Sequence, residues 1–300
     1  MSETVDLVMW TKNGAATLPL VLKRISEVIP SSSVNNRIIA DDRSTDDTVR
    51  IAESFGWQVI PNMGAGISDG ANTALNHVTA ERFVSFEQDL LLARDWWTKI
   101  PKFLENPRVA AASGMRFADK PRGVRRLQQY VAKKYRGEEY RGEAYLASWL
   151  RARQMAAFTL GKTLDNTIWK TEAVRSVGGF PKIKVNAGVD TTLAYRLQAA
   201  GYHWVVDYNV QSTHLREGLG QELQHQYWYA TQLNEIWGRI ERETNRPPPI
   251  TRSSITSRFL ASPFTGVFVA VKTREPSIAY IHPLIRFCYL KGFLESGKFA

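Results

Sequence analysis

The 300-residue chain has a single cysteine, Cys288, so neither an intramolecular disulfide nor a site built of several thiolates can form. A disulfide-stapled miniature is excluded, and the lack of bridges suits a reducing compartment. The opening MSETVDLVMWTKNG has no basic stretch followed by an apolar run of signal length, and a cytoplasmic protein is expected. Apolar runs of the roughly 20 residues that a spanning helix needs are also missing. Phe259–Val271 is too short, and Ile278–Leu294 is interrupted by Pro283, Arg286 and Lys291. A central arginine costs about 2.5–3.5 kcal/mol on insertion scales, so neither run reads as a span. What the chain does have is 44% hydrophobic and 11% aromatic residues, enough for a sizeable core and too many for wholesale disorder.

The formal charge of +10 favours anionic partners, and it is concentrated. Between Arg116 and Arg153 eleven Lys/Arg face four Asp/Glu, a net of +7. Tyr130, Tyr135, Tyr140, Tyr145 and Trp149 are interleaved there. Such a mixture suits a phosphate-bearing acceptor or a membrane surface, a plain solvated helix, or single-stranded nucleic acid, in that order of preference.

Short β-rich runs alternate with helical periodicity over the first hundred residues. Val5–Trp10, Arg37–Ala40, Trp57–Ile60 and Arg82–Phe86 read as strands, and Leu18, Val21, Leu22, Ile25, Val28 and Ile29 mark one helical face. Repeated βα units imply a parallel sheet with right-handed crossovers, whose ligands lie beyond the carboxyl ends of the strands. Polar or glycine-rich clusters fall at those ends: Thr11-Lys12-Asn13, Asp41-Asp42, Gly64-Ala65-Gly66 and Glu87-Gln88-Asp89. Thr45 and Asp46 are expected to cap the helix after the second strand. Further strands are expected at Val109–Gly114 and His203–Val206, basic helices over Arg122–Leu150, and helices at Val189–Ala200 and Glu222–Arg242. Asn245–Pro249 then reads as a linker.

The glycine loop is not a dinucleotide fingerprint, because Asp69 stands where the third glycine is required and the loop follows the third strand. Instead, Thr11-Lys12-Asn13-Gly14, Asp41–Thr48, the loop ending in Asn72, Glu87-Gln88-Asp89, Gly178-Gly179-Phe180 and Val189-Asp190 together resemble a family-2 glycosyltransferase. The likeness covers residues from about 5 to 215.

The resemblance implies a GT-A, Rossmann-like, mixed and mostly parallel sheet flanked by helices. It places a catalytic domain over 1–218, divided into a nucleotide-sugar half (1–115) and an acceptor half (116–218), ahead of a helical extension over 219–300. Asp42, Asn13 and Thr11 would hold the nucleoside, Gly64, Gly66 and Asn72 the diphosphate side of the donor, and Asp89 with His214 a Mg²⁺ or Mn²⁺ ion. Glu87 replaces the first aspartate of the family's Asp-x-Asp and would contact metal or a sugar hydroxyl. Asp190 would be the general base, kept ionised by the start of its helix. Ala71 and Val189 replace a basic residue and a glutamate of the family pattern. The implied activity is inverting transfer from a UDP- or GDP-sugar to a hydroxyl, with a lipid-linked saccharide as acceptor; the aromatics and flanking Lys/Arg of the tail suit a helix lying in the membrane interface, with packing on the catalytic domain or on a second copy as the rival. A polyprenyl-phosphate glycosyltransferase and a non-catalytic nucleotide- or membrane-binding protein are the alternatives; nucleic acid is not the expected partner.

Overall fold

The computed structural model describes residues 4–135, 153, 158–183, 187–215, 218–245, 247–248 and 250–296. Tyr140, Tyr145 and Trp149 lie outside the described residues. The elements run β1 (Val5–Thr11), α1 (Leu18–Val28), β2 (Val34–Asp41), α2 (Thr48–Ser54), β3 (Gln58–Pro61), α3 (Gly66–Asn76), β4 (Arg82–Glu87), β5 (Leu90–Leu91), α4 (Trp96–Lys99), β6 (Val109–Ala118) and α5 (Arg122–Tyr135). They continue with β7 (Asn166–Lys170), α6 (Thr171–Ser176), α7 (Val189–Ala199), β8 (His203–His214), α8 (Leu219–Thr231), α9 (Leu233–Thr244), α10 (Arg252–Leu260), α11 (Ser262–Thr273) and α12 (Ile278–Glu295).

Two compact units result, one formed by 1–116 with 161–215 and the other by 117–160 with 216–300. The sequence reading divides the chain at 218/219; the contacts instead group 117–160 with the C-terminal helices, and the proline-rich stretch at 245–249 falls inside the second unit.

The first unit carries a mixed eight-stranded sheet of order β3-β2-β1-β4-β7-β6-β8-β5, flanked by helices. β3, β2, β1 and β4 are parallel neighbours, and β7 then enters antiparallel to both β4 and β6. Every residue of β1 is buried, the unbroken apolar run of a strand covered on both faces. The exception, Asp6, accepts hydrogen bonds from the backbone N–H of Asn36 (3.0 Å), Thr79 (2.6 Å) and Ala80 (2.9 Å). α1 lays Leu18, Val21, Leu22 and Ile25 onto the sheet, each worth about 1.5–3 kcal/mol on full burial. Trp96 and Trp169 are fully buried, Trp169 against Trp204 (4.6 Å between ring centroids) and Phe180 (5.8 Å), so both indoles belong to the core.

Two strands are longer than their sequence pattern suggests. β6 runs past Gly114 to Ala118, and β8 past Val206 to His214, so functional side chains sit on strand instead of loop. The polar helix expected over Glu222–Arg242 is two helices, α8 and α9, broken at Gln232.

In the second unit α12 packs against α5, α8, α10 and α11. Gly292 permits the approach to α8, since a Cβ there would lie 2.2 Å from the Tyr227 carbonyl oxygen. Arg122 and Glu275 pair at 3.0 Å. Among the described residues no single helix is long and apolar enough to cross a membrane, although α10 and α11, bent by 56°, pass that test as a pair.

Candidate active site

All the site residues lie in the first unit, those of the nucleoside pocket at or just beyond the carboxyl ends of its parallel strands. β1 ends at Thr11, whose hydroxyl donates to Oε1 of Gln88; that oxygen also accepts from Lys12 N–H (3.0 Å), and Gln88 Nε2 donates back to the Lys12 carbonyl (3.1 Å). Gln88 therefore clasps the ends of β1 and β4. Alternation along the chain sends its neighbours Glu87 and Asp89 to the opposite side.

Asn13 adopts the left-handed backbone (φ 49°) that Asn tolerates. Its N–H donates to Ser44 Oγ (2.8 Å) and its side-chain carbonyl accepts from Thr45 N–H (2.8 Å). Thr45 is thus a partner of Asn13 and not a cap. Asp46 holds Thr48 N–H (3.0 Å) and Ala15 N–H (3.1 Å), locking the start of α2 to the loop after β1. Asp41 accepts from Ser44 N–H (2.9 Å).

Asp42 is 7% exposed. One carboxylate oxygen, Oδ2, accepts from Gly66 N–H (3.0 Å) and lies 3.7 Å from Lys12 Nζ. The other, Oδ1, is buried, stands 3.5 Å from Arg43 and has no hydrogen-bond partner among the described residues. A buried carboxylate oxygen without a donor is costly, and a nucleobase N–H would satisfy it.

The glycine loop is held from inside. Gly64 N–H donates to Asn62 Oδ1 (3.1 Å), and a Cβ on Gly64 would fall 2.0 Å from Asp69, whose carboxylate folds back to accept from Ala65 N–H (3.0 Å). Asp69 is therefore a helix-start residue of α3. Asn72 donates to the carbonyls of Ser68 (2.9 Å) and Phe180 (2.8 Å) and accepts from Phe180 N–H (3.0 Å). It fastens α3 to the Gly178-Gly179-Phe180 turn, with both of its amide hydrogens committed within the protein.

The acidic cluster depends on an antiparallel pairing. β5 pairs with β8 so that Leu90 lies opposite His214, and Leu215 N–H donates to the Asp89 carbonyl (2.8 Å). His214 Nε2 consequently stands 3.0 Å from Asp89 Oδ2, and ligand atoms of Glu87, Asp89 and His214 lie within 4.8 Å of one another. Two cis ligands about 2.1 Å from one octahedral ion would be about 3 Å apart, so this pair fits a shared divalent cation. The two hard carboxylates suit Mg²⁺ or Mn²⁺, and imidazole is compatible with the latter.

Two residues that the motif reading passes over complete the site. Arg116, on the part of β6 beyond Gly114, contacts the fully buried Asp165 and stands 3.6 Å from Glu87. Asp165 also accepts from the Thr163 hydroxyl (2.6 Å). Burial, reinforced most by the negative charge of Asp165, pushes the Glu87 carboxyl up to about 8, against the pull of Arg116. Asp190, in the first turn of α7, accepts from Thr191 N–H (2.6 Å). Its carboxyl lies above the ordinary aspartate value, because burial outweighs the Thr191 N–H and Arg116. The charges of Asp165, Glu87 and Asp190 act together on Arg116 and outweigh the cost of its burial.

Comparison with known proteins agrees with this geometry. No curated protein sequence matches the chain. Solved structures share the fold, two of them as follows. A mannosyltransferase from Pyrobaculum calidifontis, in complex with GDP-Man and Mn²⁺, superposes with a TM-score of 0.64 at 18% identity, over 100% of this chain and 87% of that one. Glucosyl-3-phosphoglycerate synthase from Mycobacterium tuberculosis, with Mn²⁺, UDP and glucosyl-3-phosphoglycerate, gives 0.56 at 17% identity over 82% and 81%. The sequence profile described as glycosyl transferase family 2 matches residues 6–161, more than half of the chain. With the parallel strands, the acidic strand ends and the metal-competent cluster in place, the chain belongs to glycosyl transferase family 2 and has its GT-A fold.

Proposed function

We propose that the enzyme transfers a glycosyl residue from a UDP- or GDP-sugar to a hydroxyl of a lipid-linked saccharide, with inversion at the anomeric carbon. The observation that carries the donor half of this reading is the unsatisfied Asp42 Oδ1 in the same unit as the Glu87-Asp89-His214 cluster. Asp42, Asn13 and Thr11 receive the nucleoside. Asp89, His214 and Glu87 would hold Mg²⁺ or Mn²⁺, which when bound supplies Lewis-acid neutralisation of the departing diphosphate. Solved relatives bind GDP-Man with Mn²⁺, or UDP with Mn²⁺ or Mg²⁺, and support that donor class and cation.

The acceptor hydroxyl loses its proton to an Asp190 carboxylate oxygen as it attacks. Burial raises the basicity of that oxygen, and a base so placed contributes about 10²–10⁴-fold. Asp165 fixes Arg116, and Arg116 keeps the surrounding carboxylates from repelling one another.

The lipid-linked acceptor rests on the second unit. Leu260, Phe264, Val267, Phe268 and Val271 recur at helical spacing and all face water, Phe264 with 80% and Val271 with 74% of its surface exposed. A stripe of that kind flanked by Arg252, Arg258, Lys272 and Arg274 suits the interface of the cytoplasmic membrane leaflet. Incubation with a panel of UDP- and GDP-sugars and Mn²⁺ should release one nucleoside diphosphate, faster when a lipid-linked saccharide is added. Silence across the panel would overturn the enzymatic reading.

A further inference from the structure

Arg286, the residue that spoils the last apolar run as a membrane span, has no carboxylate partner among the described residues. It lies half-buried on α12, between the neighbours that pack on that helix. Its Nε faces His282 Nε2, one turn earlier, at 3.5 Å. His282 turns Nδ1 to the Ser262 carbonyl and the Thr265 hydroxyl, both at 3.2 Å. These partners assign its proton to Nδ1 and leave Nε2 as a lone pair toward the guanidinium. Burial, reinforced by Arg286, holds the His282 pKa below the ordinary value, so the ring adds no compensating or competing charge at neutral pH.

A second arginine stands close by. Phe259 of α10 and Phe287 of α12 have ring centroids 6.0 Å apart, and each directly follows an arginine, Arg258 and Arg286. The two guanidinium groups are near enough for Arg258 to act against the charge of Arg286. Neither arginine is paired with a carboxylate among the described residues. The other polar groups that bear on Arg286 are the phenols of Tyr289 and Tyr135. Burial pushes Tyr289 up to about 12, so it remains a donor.

Withdrawing a guanidinium from water without a counter-ion costs several kcal/mol, and arginine cannot escape the cost by losing its proton. Arg286, with Arg258 on the helix packed against its own and phenolic O–H groups nearby, makes a surface rich in donors and positive charge. A phosphate answers it, with charge and several acceptor oxygens matched to the planar fork of arginine. The water-exposed Leu260, Leu284 and Phe287 on these helices, with Phe264 on the adjoining α11, suit a phosphate that arrives on an apolar carrier.

We propose that Arg258 and Arg286 form a binding site for the phosphate group of a membrane lipid. The site deepens the membrane part of the reading above and is independent of the transfer chemistry.

Full-length protein titrated with phosphatidylcholine vesicles, plain or doped with phosphatidylglycerol or a polyprenyl diphosphate, tests it. Doped vesicles should bind more tightly than plain ones. Each arginine near the surface contributes about fivefold, so R258Q/R286Q should lose about 25-fold on doped vesicles only. A preference for the diphosphate at matched charge, lost in the variant, names the acceptor lipid as the source. Equal loss on both doped vesicles names bulk anionic lipid.

Unchanged vesicle binding by the variant overturns the proposal. So does a melting shift with inorganic diphosphate in the absence of any vesicle effect, which would mean a soluble ligand. The lipid-free variant should melt no lower than the wild type, since it sheds two uncompensated cations; a lower melting temperature assigns the arginines to the fold and counts against the site. R258K/R286K, which keeps the charges but loses the fork, should fall between the two. Asp190→Asn should abolish transfer and leave vesicle binding intact, so failure of the transfer reading and failure of this one are seen separately.

Discussion

Arg116 and Arg286 are both withdrawn from water, one in each unit, and their surroundings are opposite. Arg116 contacts Asp165 and Glu87, and with Asp190 these acids hold its pKa above that of free arginine against the cost of burial. Arg286 meets Arg258, a neutral histidine and phenols, and burial drives its pKa the other way. In the first unit the acids outnumber the cation, so the local surplus is negative and suits a divalent metal. In the second the surplus is positive and suits a phosphate. An uncompensated charge held in a folded core points to the sign of what binds there.

The strongest way to break that comparison is to remove the acid that most directly recruits a cation. Asp89→Ala should lower turnover by about 10³-fold, the equivalent of several kcal/mol of lost charge neutralisation. It should also erase the Mn²⁺ dependence of nucleotide affinity, as chelation should in the wild type. Calorimetric titration with UDP or GDP, with and without Mn²⁺, reads this; retained metal-linked affinity would show that Glu87 and His214 suffice without Asp89.

Asp190→Asn separates chemistry from binding. Turnover with the true acceptor should fall by about 10²–10⁴-fold while nucleotide affinity stays within about twofold. The same change has a stability signature. A carboxyl whose folded pKa is raised binds its proton more tightly folded than unfolded, so it costs stability as pH climbs from the ordinary aspartate value through the folded one. At neutral pH the asparagine variant should accordingly gain about 0.5–2 kcal/mol over wild type, and the gain should vanish below the unfolded aspartate pKa. A gain that persists in acid would mean that Asp190 is strained by packing and not by its charge.

The parallel half of the sheet and its chemistry were legible because each signal is local. Asp42 closes a strand and opens a turn, and Asp89 lies two residues beyond another strand, so both could be placed on the site side before any contact was known. Arg116 and Asp165 could not. The small residues of Val109–Gly114 end in a glycine, so the pattern stops before Arg116 although the strand continues on ladder hydrogen bonds. Asp165 has no motif of its own; only the antiparallel return of β7 between β4 and β6 brings it beneath Arg116. The signal available was a lone arginine in VAAASGMRFA, an apolar strand with a charge inside it. β8 hid its length in the same way, because HWVVDYNVQSTH is half polar. Gln232 breaks α8 from α9 with no proline or glycine to announce it.

The balanced arginine provides the next test. Arg116→Met leaves Asp165 buried without its cation, and breaking such a pair from one side costs about 3–5 kcal/mol. Urea unfolding should show that loss at neutral pH. Near pH 4 the loss should shrink, because the abandoned carboxylates take up protons and no longer repel. A loss independent of pH would mean that Arg116 acts through packing alone, and the charge comparison with Arg286 would fail.

The smallest effect concerns the apolar stripe beside the unpaired arginines. Phe264 and Val271 are exposed in the folded chain, so Phe264→Ser with Val271→Ser should move unfolding stability by no more than about 0.5 kcal/mol. Vesicle affinity should nevertheless fall by about tenfold or more, since burying a side chain of this kind in the interface is worth about 1.5–3 kcal/mol. Salt distinguishes the two contributions. Screening weakens the arginine–phosphate attraction, so R258Q/R286Q should converge on the wild type as ionic strength rises, whereas the serine variant should stay weak at every salt concentration. If both variants respond to salt alike, the stripe and the arginines do not meet one membrane surface, and the positive surplus of the second unit has another ligand.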